Sequence, residues 1–164
     1  MEGRVHRRRN GGGGLSRLVD GGYRMLLRRL YPLLCGWERL SGRRSRVALV
    51  AVWFRGRLLV VRHSYRPGSS LPGGDCRRGE TSLETAVREL AEEVGIAVRP
   101  EALVLAAPSA RDWSVYEYRP GSEPAVTVDN REIVAAAFRD PTRITDPTGS
   151  LARYLQGRRR PDAA

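Results

Sequence analysis

Residues 74–96 read GDCRRGETSLETAVRELAEEVGI, and this stretch predicts a loop followed by an amphipathic helix. The helix is predicted over residues 81–94, because Thr81 and Glu84 have the spacing of a capping box and Gly95 can end the helix in a left-handed conformation. At about 100° per residue, one face of this helix carries the apolar residues Leu83, Ala86, Val87, Leu90 and Val94. This face is expected to pack on a core.

Three glutamates of the same helix, Glu89, Glu92 and Glu93, are predicted to lie together about 120° away from the apolar face. Like charges at such spacings destabilise a helix by a few tenths of a kcal/mol, on the order of 0.2–0.5 per pair, so a compensating group is expected. Clustered carboxylate oxygens on a rigid element suit a hard divalent cation such as Mg²⁺. The alternative is a solvated acidic face in which Arg88 pairs with Glu92 four residues later.

Around this helix the sequence predicts a mixed α/β domain over residues 46–157. Val47–Phe54 and residues 58–63 are apolar, β-branched runs separated by a short Arg-Gly-Arg segment, a pattern typical of a hairpin. Residues 65–74 are rich in Gly, Pro and Ser and are predicted to form a loop. Further strands are predicted at residues 102–107, 113–118 and 133–138, and a last helix at 148–158.

The residues before this domain are strongly basic. The net charge is +11, and all 29 basic residues are arginine. Residues 1–46 hold 12 arginines against 3 acidic residues, whereas residues 47–164 hold 17 against 15. Residues 1–14, which combine arginines with four consecutive glycines, are predicted to be a flexible basic tail. A nucleic-acid-binding arm is the alternative, but nucleic acid is not an expected partner, because no binding motif or stacking platform accompanies the charge.

Residues 15–45 are predicted to form an amphipathic helical arm and a linker. Apolar residues recur with a helical period, with interruptions expected near Gly21 and at Pro32. Such a helix can pack on the domain, pair with another copy in a homodimer, or lie on an anionic membrane surface. At the other end of the chain, residues 158–164 are predicted to be a disordered tail.

Cysteine usage and apolar run lengths indicate a cytoplasmic setting. The two cysteines, Cys35 and Cys76, support neither a disulfide framework nor a zinc site. Apolar runs such as Val47–Phe54 are far shorter than the roughly 20 residues that span a bilayer. No signal peptide is predicted, because the apolar run at residues 30–35 is short and contains Pro32. Contact with a membrane, if any, is expected to be peripheral and through the arm.

The stretch at residues 74–96 resembles the Nudix box. That pattern is Gly, five residues, Glu, seven residues, Arg-Glu, an aliphatic residue, any residue, Glu-Glu, any residue, Gly and an aliphatic residue. Its specified positions are all filled here, by Gly74, Glu80, Arg88, Glu89, Leu90, Glu92, Glu93, Gly95 and Ile96. The preceding Leu-Pro-Gly-Gly at residues 71–74 also resembles the family. The resemblance implies a Nudix-type α/β/α sandwich with a mixed β-sheet, preceded here by the amphipathic helix.

The resemblance also implies an activity, which is hydrolysis of a nucleoside diphosphate linked to another moiety with Mg²⁺ or Mn²⁺. By position, Glu89, Glu92 and Glu93 would be metal ligands, and Gly73 would offer a backbone carbonyl. Arg88 would orient Glu89 through its planar fork. The general base would be Glu92 or Glu132, and the residues leave this choice open. The alternative function is a catalytically silent nucleotide-binding module, against which the intact acidic positions argue.

The substrate is less well specified by the sequence. His63 ends the second predicted strand and Arg66 lies in the following loop, so both could contact phosphate or base, although a histidine beside a turn is commonly inert. Gly74 would let the backbone approach the substrate closely. Trp113 could stack on a base, although aromatic residues in a strand commonly serve packing alone. The proline of ADP-ribose-cleaving members would fall near Arg111, and the tyrosine of dinucleoside-polyphosphate members near Trp113, and neither matches.

Overall fold

The computed structural model describes residue 22 and residues 46–108, 113–128 and 132–158. The strands among these residues are β1 (Val47–Phe54), β2 (Arg57–His63), β3 (Ser69–Ser70), β4 (Gly73–Asp75), β5 (Val104–Pro108), β6 (Trp113–Tyr118) and β7 (Ile133–Arg139). The helices described are α1 (Ser82–Val94) and α2 (Gly149–Arg158), with short 3₁₀ turns at Pro100–Ala102 and Pro141–Arg143.

All seven strands belong to one mixed sheet. Its main order is β3-β2-β1-β6-β5, and β4 pairs with β1 while β7 pairs with β2. Only the β1–β6 pair among these is parallel, in a register that runs from Val47 opposite Trp113 to Val52 opposite Tyr118. The β1–β2 hairpin turns through Arg55 and Gly56, both with positive φ (48° and 73°), as tight hairpin turns that match strand twist require.

Two hydrophobic clusters cover the two faces of the sheet. Alternate residues of β1 separate them, because successive side chains of a strand point to opposite faces. Ala48, Val50 and Val52 pack in the first cluster with Leu90 and Val94 of α1. Leu49 and Ala51 pack in the second cluster, which also contains Leu151 and Tyr154 of α2. The molecule is therefore an α/β/α sandwich, as the resemblance implied.

The central prediction about α1 is confirmed. Thr81 is the N-cap, its side chain accepts from the Glu84 amide, and the Glu84 carboxylate accepts from the Thr81 amide. Gly95 ends the helix with a φ of 69°. β1 and β6 also have their predicted bounds.

Other boundaries differ from the prediction. Residues 65–74, predicted to be a loop, contain β3 and the start of β4, because strands of two or three residues are too short to show a period. β5 begins at Val104 because Pro100 starts a 3₁₀ turn where the strand was predicted to begin. α2 includes Arg158, which the predicted domain boundary at residue 157 left out.

The predicted flexible tail (1–14), the arm and linker (15–45) and the tail after Arg158 lie outside the described residues, apart from Gly22 and the final boundary given above. Within the described part of the chain, neither helix has the length and apolar character needed to cross a bilayer.

Candidate functional site

The site is built where β4 passes close to both β1 and α1. Gly73 has a φ of 141°, and a Cβ there would lie 2.1 Å from the Ala48 carbonyl oxygen. A Cβ on Gly74 would lie 2.6 Å from Oε1 of Glu89. Gly73 therefore needs glycine because of the neighbouring strand backbone, whereas a side chain at Gly74 would displace the carboxylate of Glu89. The close approach of the Gly74 backbone to a substrate stays a prediction.

Glu93 is buried against this backbone. Its side chain is on the helix, its exposed fraction is 6%, and its Oε2 accepts a 2.8 Å hydrogen bond from the Gly73 amide. Burial raises the pKa of Glu93 to about 8, and the negative charges of Glu89 and Glu132 add to the effect. The Gly73 amide and the charge of Arg66 oppose it. Glu93 is thus a buried carboxyl group with one direct donor and two acidic neighbours.

Glu89 lies one helical turn before Glu93 and is also largely shielded, with a side chain that is 14% exposed. Its Oε1 accepts a 2.7 Å bond from Nη1 of Arg88. Burial raises the pKa of Glu89, while Arg88 lowers it. The contact that the resemblance implied between Arg88 and Glu89 is therefore present.

The planar fork of Arg88, however, holds Glu80. Nε and Nη2 of Arg88 donate to the two carboxylate oxygens of Glu80 at 2.8 and 3.0 Å. Glu80 also accepts from the Arg77 amide and the Thr85 hydroxyl. The bond from Arg88 is the main cause that lowers the pKa of Glu80 to about 2, and these two donors add to it. Glu80 was not among the predicted site residues. Its fixed position in the motif was the signal that could have found it.

Glu92 does not share the environment of the other two helix glutamates. Its side chain is 51% exposed, and its carboxylate accepts from Arg88 at 3.1 Å and from Arg77 at 3.3 Å. The predicted patch of three carboxylates is therefore divided. Glu89 and Glu93 face β4, because its glycines leave room for them, whereas Glu92 faces solvent between two arginines.

His63, the last residue of β2, lies against Arg66 of the following loop. Nη2 of Arg66 donates to Nε2 of His63 at 2.7 Å, and the Ser70 hydroxyl lies 2.9 Å from the same nitrogen. Because a guanidinium can only donate, Nε2 must be an unprotonated acceptor. Burial and the charge of Arg66 lower the pKa of His63 to about 3. His63 is 6% exposed, so in this structure it contacts Arg66 and is shielded from solvent.

Of the two remaining predicted residues, the structure brings Glu132 to the site but leaves Trp113 apart from it. The Glu132 carbonyl accepts a 2.7 Å bond from the Ser64 amide next to His63, and its side chain is exposed. Trp113 is partly buried against the second cluster, on the sheet face opposite α1. The packing interpretation of Trp113 therefore has direct structural support, and its contact with a base stays a prediction.

The fit of this donor set to a divalent cation depends on how many protein ligands the cation takes. In the described ranges, no group of three or more His, Cys, Asp or Glu side chains is arranged to hold a metal ion by itself. Mg²⁺, however, commonly takes only one or two carboxylates and completes its shell with water and substrate phosphates. Glu89 and Glu93 provide two shielded carboxylates whose charges disfavour each other, which is the environment that a cation relieves.

Comparison with known proteins gives consistent results. The model of the NUDIX domain family matches residues 42–154. RNA pyrophosphohydrolases of Francisella tularensis and Francisella philomiragia are 36% and 38% identical over 77 residues, which is 47% of this chain and 48% of theirs. The chain thus matches about half the length of these curated relatives. A Nudix hydrolase family structure from Chromobacterium violaceum, 20% identical, has a TM-score of 0.57 over 74% of this chain and 82% of its own. It supports the fold alone.

Proposed function

Because this chain belongs to the Nudix family, we propose that it is a pyrophosphohydrolase that cleaves a nucleoside diphosphate linked to another moiety, with Mg²⁺ or Mn²⁺ as cofactor. The single observation that carries the proposal is the pair of shielded carboxylates, Glu89 and Glu93, held against the glycine backbone of β4. Two shielded carboxylates with only one hydrogen-bond donor each among the described residues are costly to keep side by side, and such groups occur frequently at functional sites.

Glu89 and Glu93 would hold the cation, and Glu92 and the carbonyl of Gly73 stay secondary candidates. When bound, a divalent cation supplies positive charge that neutralises the pyrophosphate and favours attack at phosphorus. The role of Arg88 is to fix Glu89, since its guanidinium is itself fixed by the bidentate bond to Glu80. Pre-organised ligands of this kind lose little entropy when the cation and substrate bind.

Arg66 is the candidate for direct contact with a substrate phosphate. Its guanidinium is close enough to Glu93 to lower the pKa of that carboxyl group, and one of its nitrogens is held by His63. Its Nε is buried without a hydrogen-bond partner among the described residues. An unsatisfied charged donor at the edge of a carboxylate site favours an anionic ligand. His63 would then act as a positioning residue and not as a substrate contact.

Glu132 is the better supported of the two candidate general bases. It lies beside the His63–Arg66 pair, and its negative charge reaches Glu93. Glu92 instead lies in solvent, where its carboxylate is paired with Arg77 and Arg88. Replacement by glutamine separates the two candidates, because the E132Q variant should lose far more turnover than E92Q.

The substrates to be tested follow from the proposed chemistry and from the names of the relatives. The matched Francisella relatives are named RNA pyrophosphohydrolases, so RNA with a phosphorylated end belongs in the assay beside small nucleotide-linked diphosphates. A homodimer, or attachment to an anionic membrane surface through residues 15–45, remains a separate proposal. Sedimentation with anionic and neutral vesicles, with and without residues 1–40, tests the membrane version.

The main experiment compares E93Q with E101Q, a matched control on the exposed 3₁₀ turn. Wild type and E101Q are expected to release product from at least one substrate with Mg²⁺ or Mn²⁺. E93Q should lose activity by on the order of 1,000-fold, as loss of a cation ligand removes transition-state stabilisation. Thermal unfolding should show that E93Q is folded and is no longer stabilised by Mn²⁺.

Three results bear against the hydrolase. These are no product from any substrate of the panel, equal activity of E93Q and wild type, or equal stabilisation of both by Mn²⁺. Tight nucleotide binding without turnover would instead favour the silent binding module.

A further inference from the structure

A groove separate from the carboxylate site lies on the sheet face that bears α2. Its volume is about 250 Å³, and its floor is formed by β2 and β7, where Val60 pairs with Ala137 and Arg62 with Ala135. Val60 belongs to the second hydrophobic cluster, which places the floor on the α2 side. The segment after Pro141–Arg143 forms the opposite wall.

The rim of this groove is strongly basic. Arg62, Arg139 and Arg143 line it, and the acidic residue Asp146 is the only carboxylate among its lining residues. That carboxylate accepts a 2.8 Å bond from the Ser69 hydroxyl. Arg62 and Arg143 are exposed, and neither lies within ion-pair distance of a carboxylate that the structure describes, although the charge of Arg143 acts at longer range on Asp140. Guanidinium groups that share one groove repel each other, and an anion between them relieves this repulsion.

The floor is apolar and flat. Ala135 and Ala137 present no side chain beyond Cβ, and the strand backbone lies directly beneath them. A volume of about 250 Å³ lies just below the roughly 300–1,000 Å³ of typical ligand pockets. The groove therefore fits one flat, partly apolar unit with an attached anion, and it is too small for a long polyanion. Inorganic phosphate alone would leave the alanine floor without a partner.

We propose that this groove binds a mononucleotide, with its phosphate held by Arg62 and Arg143 and its base resting on Ala135 and Ala137. The site is separate from the carboxylate site, because Arg62 and His63 are successive residues of β2 and project to opposite faces of the sheet. Its occupancy does not depend on hydrolysis, so failure of the proposed function would leave this inference standing.

The experiment measures binding of AMP, adenosine and inorganic phosphate to the full chain by calorimetry, in EDTA to suppress cation-dependent binding. The test variant is R62Q/R143Q. The control R99Q/R153Q removes the same charge from exposed positions outside the groove. AMP is expected to bind wild type, E93Q and the control with equal affinity and R62Q/R143Q at least about ten-fold more weakly, because charge-assisted hydrogen bonds to phosphate are lost. Inorganic phosphate should compete, and adenosine should bind much more weakly than AMP.

Backbone NMR shifts give the location. AMP should move the amide signals of residues 135–137 in wild type and in E93Q. The inference is overturned if AMP does not bind at about 1 mM, if R62Q/R143Q and its control bind equally, or if adenosine binds as tightly as AMP. It is also overturned if R62Q/R143Q, folded by its thermal transition, still shows the shifts at 135–137.

Discussion

Gly73 and Gly74 matter because neither has a Cβ, which leaves space for neighbouring atoms. At Gly73 a Cβ would meet the backbone of β1, and at Gly74 it would meet the carboxylate of Glu89. The first contact would move a strand, whereas the second is with the end of a side chain that can shift. The same absence lets the Gly73 amide reach Glu93 inside the protein. The two glycines thus let the carboxylates of Glu93 and Glu89 lie against the β4 backbone.

The buried His63 gives a pH prediction at the residue scale. Burial and Arg66 lower its pKa to about 3, whereas a histidine in the unfolded chain titrates near 6.5. The unfolded chain therefore binds the additional proton as the pH falls from 6.5 to 3, and the stability that depends on neutral His63 is lost in that window. The free energy of unfolding should fall by at most about 1.4 kcal/mol per pH unit from this group.

His63→Gln removes this titration while offering an amide oxygen to Arg66. Urea unfolding of wild type and His63→Gln at pH 7.5, 6.5, 5.5 and 4.5 measures the effect. The stability advantage of wild type should shrink as the pH is lowered. A constant difference between the two proteins over this range would contradict a neutral, buried His63.

At the scale of elements, α1 and the loop before it act as one unit. Thr81 and Glu84 cap the helix, and the Arg88–Glu80 pair holds residues 75–80 against it. Arg88 also donates to the Asp75 carbonyl at 3.3 Å, next to the two glycines of β4. A single guanidinium therefore joins the loop, the helix and the carboxylate of Glu89.

Arg88→Lys tests this arrangement, because lysine keeps the charge but cannot form the bidentate bond. Turnover should fall by on the order of 100-fold through misplacement of Glu89, with a smaller change in KM. Arg77→Lys is the matched control, since its pair with Glu92 is exposed (63% and 51%) and such pairs contribute little. Equal turnover in Arg88→Lys and Arg77→Lys would show that the fork does not position Glu89.

At the scale of the whole molecule, α2 is attached to the sheet by a polar network as well as by the second cluster. The Tyr154 hydroxyl accepts from Trp53 Nε1 at 2.7 Å and donates to Glu117 at 2.5 Å. Arg158 donates to the same carboxylate and lies over the Trp53 ring, 4.7 Å from its centroid. Residues from β1, β6 and α2 thus meet at one hydroxyl group.

Tyr154→Phe should lower the free energy of unfolding by about 1–3 kcal/mol, because it leaves the Trp53 donor and the Glu117 acceptor with one partner fewer. Tyr118→Phe is the control, because Tyr118 packs on the first cluster and has no hydrogen bond from its hydroxyl among the described residues. Chemical denaturation of the two variants measures the difference. Equal stability would mean that the network adds nothing to the apolar packing.

The sequence by itself determined the local elements and the family. The α1 helix was predictable with its cap and its end, because capping boxes and C-terminal glycines act within a few residues. β1 and β6 were predictable from β-branched and aromatic runs. Glu89, Glu93 and Arg88 were identifiable from the spacing of one motif. All of these signals lie within a short stretch of chain.

Only the tertiary structure decided which of the predicted residues share an environment. Helical geometry placed Glu92 with Glu89 and Glu93, but the approach of β4 shields two of them and leaves Glu92 in solvent. The tertiary structure also decided that His63 accepts a hydrogen bond from Arg66 and that Glu80 pairs with Arg88. It places Trp113 on the sheet face opposite α1. The physical reason is that burial and ion pairing depend on residues that are far apart in the chain. The helical and strand periods of a sequence describe only near neighbours and do not specify which distant residues meet.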